Sequence, residues 1–166
     1  MRCSLGLHPY HAEQFDAGLI PRLKAALASA PEAVAIGEIG LDYAKAPIPP
    51  ETQRRAFAAL LEAGRDWNVP LVIHCRDAYV DLLSMLRERF SSPPSGRRFW
   101  GVVHCFSGTP EQAMACAALG FALGTDGPVT YKKNAPLREA FRLAGPGVTV
   151  LETDCPYLPP QSSRAT

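Results

Sequence analysis

Short apolar runs that stop on a polar residue recur along this chain, with helical patterns between them. Pro70-Leu71-Val72-Ile73 runs into His74-Cys75-Arg76-Asp77, and Trp100-Gly101-Val102-Val103 runs into His104-Cys105-Phe106-Ser107. Val34-Ala35-Ile36-Gly37 leads to Glu38, and Val148-Thr149-Val150-Leu151-Glu152-Thr153 leads to Asp154. Apolar runs of this length, bounded by turn residues, predict strands buried on both faces. Residues 3–7 and 121–124 supply two shorter strands, which makes six.

The intervening segments predict helices. Residues 51–67 carry Phe57, Leu60, Leu61 and Gly64 on one stripe, with Arg54, Arg55, Glu62 and Arg65 largely off it. A second stripe comprises Tyr79, Leu82, Leu83, Leu86 and Phe90. Thr109, Pro110 and Gln112 form a capping box that opens a third helix, and Gly120 suits its stop. Asn134 and Pro136 open a fourth, holding Leu137, Ala140, Phe141 and Ala144. Ahead of these, Asp16 can open a helix with Ile20, Leu23 and Leu27 on one face. The polar loop 91–98 is the best candidate for a mobile insertion. Strands that alternate with helices give a parallel sheet with right-handed crossovers, so the fold class is α/β. One domain over 1–159 with a tail over 160–166 is expected.

Composition changes this picture little. At 166 residues, 47% hydrophobic and 20% charged, the chain is an ordinary globular sequence. A net charge of +1 argues against a broad basic field for gripping duplex DNA, though not against handling a strand end. No apolar run approaches the ~20 residues that span a bilayer, so no membrane partner is expected. Five cysteines without a C-x-x-C pair argue against a disulfide framework or a structural zinc site. A cytoplasmic or other reducing compartment follows as the expectation.

The chemistry lies at the strand ends. In α/β folds, ligands bind where the carboxyl ends of the strands open to solvent. Two imidazoles and two carboxylates, His74, His104, Glu38 and Asp154, each ending its own strand, form a divalent-metal constellation. Strand neighbours face opposite sides, so Cys75, Cys105 and Cys155 are poor co-ligands, better suited to burial as small apolar residues. A site of imidazole and carboxylate without thiolate suits Mg²⁺, Mn²⁺ or Zn²⁺. Taken singly, each residue has a plainer reading. A histidine can be a satisfied structural group, Glu38 a loop cap, and Asp154 a turn residue before Pro156. Arg76 reads either as a solvated helix-start residue or as an anion-facing cation, and helix-terminus electrostatics favour the second.

The segments AIGEIGLDY (35–43), VIHCRDAYVDLL (72–83), VVHCFSG (102–108), GPVTYKKN (127–134) and LETDCPYL (151–158), with GLHPYHA (6–12) ahead of them, resemble the TatD family of metal-dependent deoxyribonucleases. The resemblance runs in family order to about Pro159. It implies a TIM-type (β/α) barrel of the amidohydrolase-like superfamily, here as six parallel strands corresponding to strands three to eight. It further implies that Glu38 bridges metals, that His74 and His104 bind one ion, and that Asp154 binds the other and accepts a proton from the attacking water. His8, Arg76 and Ser107 would face the substrate phosphate. The implied activity is hydrolysis of DNA phosphodiester bonds from the 3′ end, on single strands or 3′ termini, with RNA as a further substrate. The implied cofactor is one or two divalent ions, Mg²⁺ first, with Mn²⁺ or Zn²⁺ as alternatives.

Family members usually carry two further βα units before this point and an R-N-E-P motif after it. A full barrel takes about 250 residues. Six strands would leave two unpaired edges exposing Leu5, Leu7, Val148 and Val150. The isolated chain is therefore expected to be a gapped barrel, poorly stable, and weakly active unless the gap is covered. The alternative is a metal-binding relative without nuclease turnover. A third reading, an amidohydrolase acting on an amide or lactone, lacks a strand-end lysine suited to carbamylation, since Lys45, Lys132 and Lys133 lie outside strands.

Overall fold

The computed structural model describes residues 1–91 and 94–163. Ser92 and Pro93, at the centre of the expected mobile loop, lie outside the described residues, as does the end of the expected tail from 164. Six strands, β1 (Cys3–Leu5), β2 (Ala33–Asp42), β3 (Leu71–Arg76), β4 (Gly101–Val103), β5 (Phe121–Thr125) and β6 (Thr149–Leu151), pair in sequence order, all parallel. Among the described residues, five α-helices lie between them: α1 (Leu19–Ser29), α2 (Pro50–Asp66), α3 (Tyr79–Arg89), α4 (Pro110–Ala118) and α5 (Ala135–Ala144).

The helices form where the apolar stripes lie. Phe57, Leu60 and Leu61 of α2, with Leu82 and Leu86 of α3, are fully buried against Ile36, Ile39, Leu41, Leu71 and Ile73 of the central strands. The capping box of α4 is present: the Thr109 hydroxyl oxygen accepts from the Gln112 N–H, and the Gln112 side-chain Oε1 accepts from the Thr109 N–H at 2.8 Å. Burial falls off toward the sides of the sheet. β5 is buried at every position, whereas β6, at one edge, leaves Leu151 86% exposed and Val150 43% exposed. β1 and β6 are not paired with one another, so the sheet stays open.

β1 ends at Leu5 rather than at residue 7 and α1 begins at Leu19 rather than at Asp16, and two further boundaries that differ from the sequence expectation bear on chemistry. β2 does not stop at Gly37 but continues for ten residues, which places Glu38 in mid-strand. The glycines that suggest a break instead permit close packing. A Cβ on Gly37 would come within 2.5 Å of the Val72 Cβ, and one on Gly40 within 1.9 Å of the His74 carbonyl oxygen. β3 likewise runs through His74 to Arg76, with Cys75 turned inward and Arg76 exposed. Because α3 begins only at Tyr79, Arg76 is a strand-end residue and not a helix-start residue.

Candidate metal centre

The middle of β2, the second half of β3 and the segments that follow β4 and β6 bring their polar side chains to one point, the Glu38 carboxylate. Its Oε1 lies 2.9 Å from His74 Nδ1, 3.7 Å from His104 Nε2 and 3.8 Å from His8 Nε2. Asp154 completes the group, with its Oδ1 4.0 Å from His104 Nε2. The four residues singled out at strand ends, Glu38, His74, His104 and Asp154, therefore converge, and His8 joins them. Ligand atoms of His8, Glu38 and His74 all lie within 4.8 Å of one another, a spacing that one cation could bridge. The donors are imidazole nitrogen and carboxylate oxygen, a set that fits Mg²⁺, Mn²⁺ or Zn²⁺.

Electrostatics follow from this crowding. Burial alone would raise the Glu38 carboxyl, but the hydrogen bond to His74 and the fields of His104, His74 and His8 hold it below its ordinary value. The hydrogen bond to Glu152 pushes His104 up to about 9 against the opposing effect of burial, with Glu38 and Asp154 adding to the rise. His8 is lowered, chiefly by burial. Its Nδ1 accepts the Tyr10 N–H at 3.3 Å, so the neutral ring carries its proton on Nε2, the atom facing Glu38. In that form His8 offers the centre a donor and would have to give up the Nε2 proton to serve as a ligand, whereas His74 and His104 each turn one nitrogen to Glu38 and the other to a supporting carboxylate.

The sequence pattern does not single out those supporting carboxylates. His74 Nε2 lies 3.1 Å from Asp42 Oδ2, and His104 Nδ1 lies 3.0 Å from Glu152 Oε2. Carboxylates placed behind metal-facing imidazoles fix ring orientation and raise ligand basicity. A parity signal for both was present: Asp42 is four residues from Glu38 along one strand, and Glu152 is two residues before Asp154.

The remaining expectations divide. Cys75 is buried away from the centre, as strand alternation requires. Cys105 and Cys155 do not follow the expected burial. Cys155 is exposed, and Cys105, at φ +47°, donates its thiol to Asp126 at 3.2 Å while its N–H donates to Glu152. Burial and Asp126 together drive the Cys105 thiol well above its usual range, so it stays protonated and offers no thiolate. Ser107 stands apart from the imidazole cluster. It donates its N–H to the Tyr79 hydroxyl at 3.0 Å and lines a neighbouring cleft of about 730 Å³ with Tyr43, Asp77, Lys133 and Asn134. Arg76 is exposed at the tip of β3. Among the described residues no helix is long and apolar enough to cross a membrane.

Comparison with known proteins gives a consistent result. A model of the family described as TatD related DNase matches residues 1–166. The chain is 40% identical over 160 residues to a protein of Erwinia billingiae named 3'-5' ssDNA/RNA exonuclease TatD, covering 96% of this chain and 59% of that protein. A protein of the same name from Escherichia coli K12 is 38% identical over 157 residues, covering 94% and 58%. A Bacillus subtilis protein named uncharacterized metal-dependent hydrolase YabD is 32% identical over 161 residues, covering 97% and 61%. Among solved structures, the TatD homolog YJJV from Escherichia coli K12 superposes with a TM-score of 0.82 at 31% identity, covering 96% of this chain and 60% of that one. The chain thus spans about three-fifths of the length of the curated relatives it matches. Its six parallel strands form an open arc of the barrel found in these neighbours.

Proposed function

The chain belongs to the family of TatD-related DNases, and from that membership we propose that the Glu38 centre is the metal site of a phosphodiesterase removing nucleotides from the 3′ ends of single-stranded DNA and RNA. The observation that supports this most is Glu38 itself. A half-buried carboxylate with three imidazole nitrogens within 2.9–3.8 Å of one oxygen is a costly arrangement for a structural residue and an apt one for a metal ligand.

In this reading Glu38, His74, His104 and Asp154 hold one or two divalent ions, of which Mg²⁺ is proposed first. When bound, such ions polarise a phosphoryl oxygen and lower the pKa of water. The chain's own residues supply the rest. Glu38, in the middle of β2, gathers the ligand set, and His74 of β3 and His104 after β4 approach it with their second nitrogens tethered. Asp154, the most solvent-accessible of the four, accepts a proton from the water that attacks phosphorus. His8 presents its Nε2–H to a non-bridging phosphate oxygen. Arg76 supplies a guanidinium and Ser107 a hydroxyl along the path of the strand. The relatives' names, which specify single-stranded DNA and RNA, support the substrate class.

The test is an assay of the purified protein on 3′-labelled single-stranded DNA. Shortening from the labelled end should require a divalent cation, cease with chelator, and return when Mg²⁺ or Mn²⁺ is added in excess. His74→Ala and His104→Ala should weaken metal affinity by more than the roughly 10- to 100-fold that losing an outer-shell partner costs. Undiminished hydrolysis in chelator would exclude the metal reading.

A further inference from the structure

We propose that Gln53 of α2 and Asp42 of β2 form a buried relay that holds the His74 ring with its Nε2–H toward Asp42 and its Nδ1 toward Glu38. Both relay residues are polar, yet Gln53 is 1% exposed and Asp42 0%. Buried polar groups without partners are costly, so their contacts carry information.

The hydrogen bonds of the Gln53 side chain all go to backbone. Its Oε1 accepts the Asp42 N–H at 2.8 Å, and its Nε2 donates to the Asp42 carbonyl at 3.0 Å and to the Ile48 carbonyl at 2.8 Å. The side-chain amide thus pairs with both backbone groups of Asp42 as a neighbouring strand would. Gln53 sits on the apolar stripe of α2, one turn before Phe57, so the packing of the helix fixes where Asp42 stands.

The Asp42 side chain then divides its two oxygens. Oδ1 accepts the N–H groups of Ala44 at 2.9 Å and Lys45 at 2.7 Å, and Oδ2 lies 3.1 Å from His74 Nε2. Two amide donors on one oxygen favour the acceptor-only carboxylate, so the proton between Asp42 and His74 belongs to Nε2. The opposite nitrogen, Nδ1, is the one 2.9 Å from Glu38. Asp42 and Gln53 are positioning residues here: neither reaches the Glu38 carboxylate, and both act through His74. The relay's usefulness rests on the Glu38 centre being a metal site, but its geometry can be tested without metal.

The experiment is nitrogen-15 NMR of histidine-labelled, metal-free protein, followed by calorimetric titration with Zn²⁺ alone. In the unaltered protein His74 Nε2 should carry a proton whatever the state of Nδ1. In Asp42→Asn, Oδ1 remains with the Ala44 and Lys45 amides, so the new NH₂ group faces Nε2. Two donors cannot pair, and the proton should move to Nδ1, the nitrogen needed for the ion. Zn²⁺ affinity should fall about 10- to 100-fold. Gln53→Leu frees the Asp42 backbone and should also lower Zn²⁺ affinity while His74 keeps its Nε2–H. A bare Nε2 in the unaltered protein overturns the relay outright, even if neither variant folds, and so does an Asp42→Asn protein with an unchanged His74 tautomer. Protein that shows the expected tautomers but takes up no Zn²⁺ refutes the metal reading and leaves the relay standing.

Discussion

Replacing Asp154 by Asn should cut metal-dependent hydrolysis by about 10²- to 10⁴-fold, the usual contribution of a positioned general base, while metal remains bound. Asp154 follows β6, and its Oδ1 lies 4.0 Å from His104 Nε2. It is the most open carboxylate of the group, with 39% of its side chain accessible compared with 32% for Glu38 and 19% for Glu152. A water molecule can therefore reach it without displacing protein. Asparagine keeps the size and one oxygen that can face an ion, but it cannot take up a proton at neutral pH. Rate and affinity should separate, with kcat falling steeply and Mn²⁺ affinity changing far less. Removing an imidazole should instead lower the affinity first. Near-unaltered turnover by the Asp154→Asn protein would exclude the proton-accepting role.

Gly40→Ala should be among the most damaging single substitutions to the fold. Gly40 pairs with His74 between β2 and β3 and adopts φ +144°, a conformation side chains rarely tolerate. Its added methyl would sit 1.9 Å from the His74 carbonyl oxygen and 3.0 Å from the His74 nitrogen, both backbone atoms. Relief requires the two central strands to part, which would also move Glu38 from His74. A loss above about 4 kcal/mol is expected, against a total of roughly 5–15 kcal/mol for a typical domain. Gly145→Ala is the control. It also has positive φ, +82°, but nothing stands within 4 Å, so only a backbone penalty of about 1–3 kcal/mol applies. Chemical denaturation of both proteins measures the difference. Equal midpoints would show that the β2–β3 approach is looser than the structure indicates.

The same close approach explains what the sequence reveals and what it conceals. Apolar periodicity is a local property, so the stripe of α2 around Phe57, the capping box at Thr109 and the apolar run 71–73 could be read directly. Histidines at the ends of such runs were legible for the same reason, and the structure brings His74 and His104 to one carboxylate. β2 runs longer than its sequence suggests because Gly37 and Gly40 look like punctuation. Their actual role is to let β3 come near, which depends on a strand some 35 residues away in the chain. Asp42, Glu152 and Gln53 do not stand out in the sequence because a buried polar residue looks like a turn or surface residue until its partner is known. Asp42 follows Gly40-Leu41 and resembles a loop start, and Glu152 reads as the end of its strand. Gln53 was concealed in the polar first turn of a helix, although its place one turn before Phe57 marks the buried face. The tautomer of His8 depends on a single backbone N–H, that of Tyr10, and no residue pattern encodes it.

The Glu38 centre is proposed to bind divalent metal. Anomalous diffraction from crystals of the protein equilibrated with Mn²⁺ tests this directly. One or two anomalous peaks are expected, each within bonding distance of Glu38, with His74, His104 and Asp154 completing the ligand sets. A map with full Mn²⁺ occupancy elsewhere and no peak beside Glu38 would contradict the account.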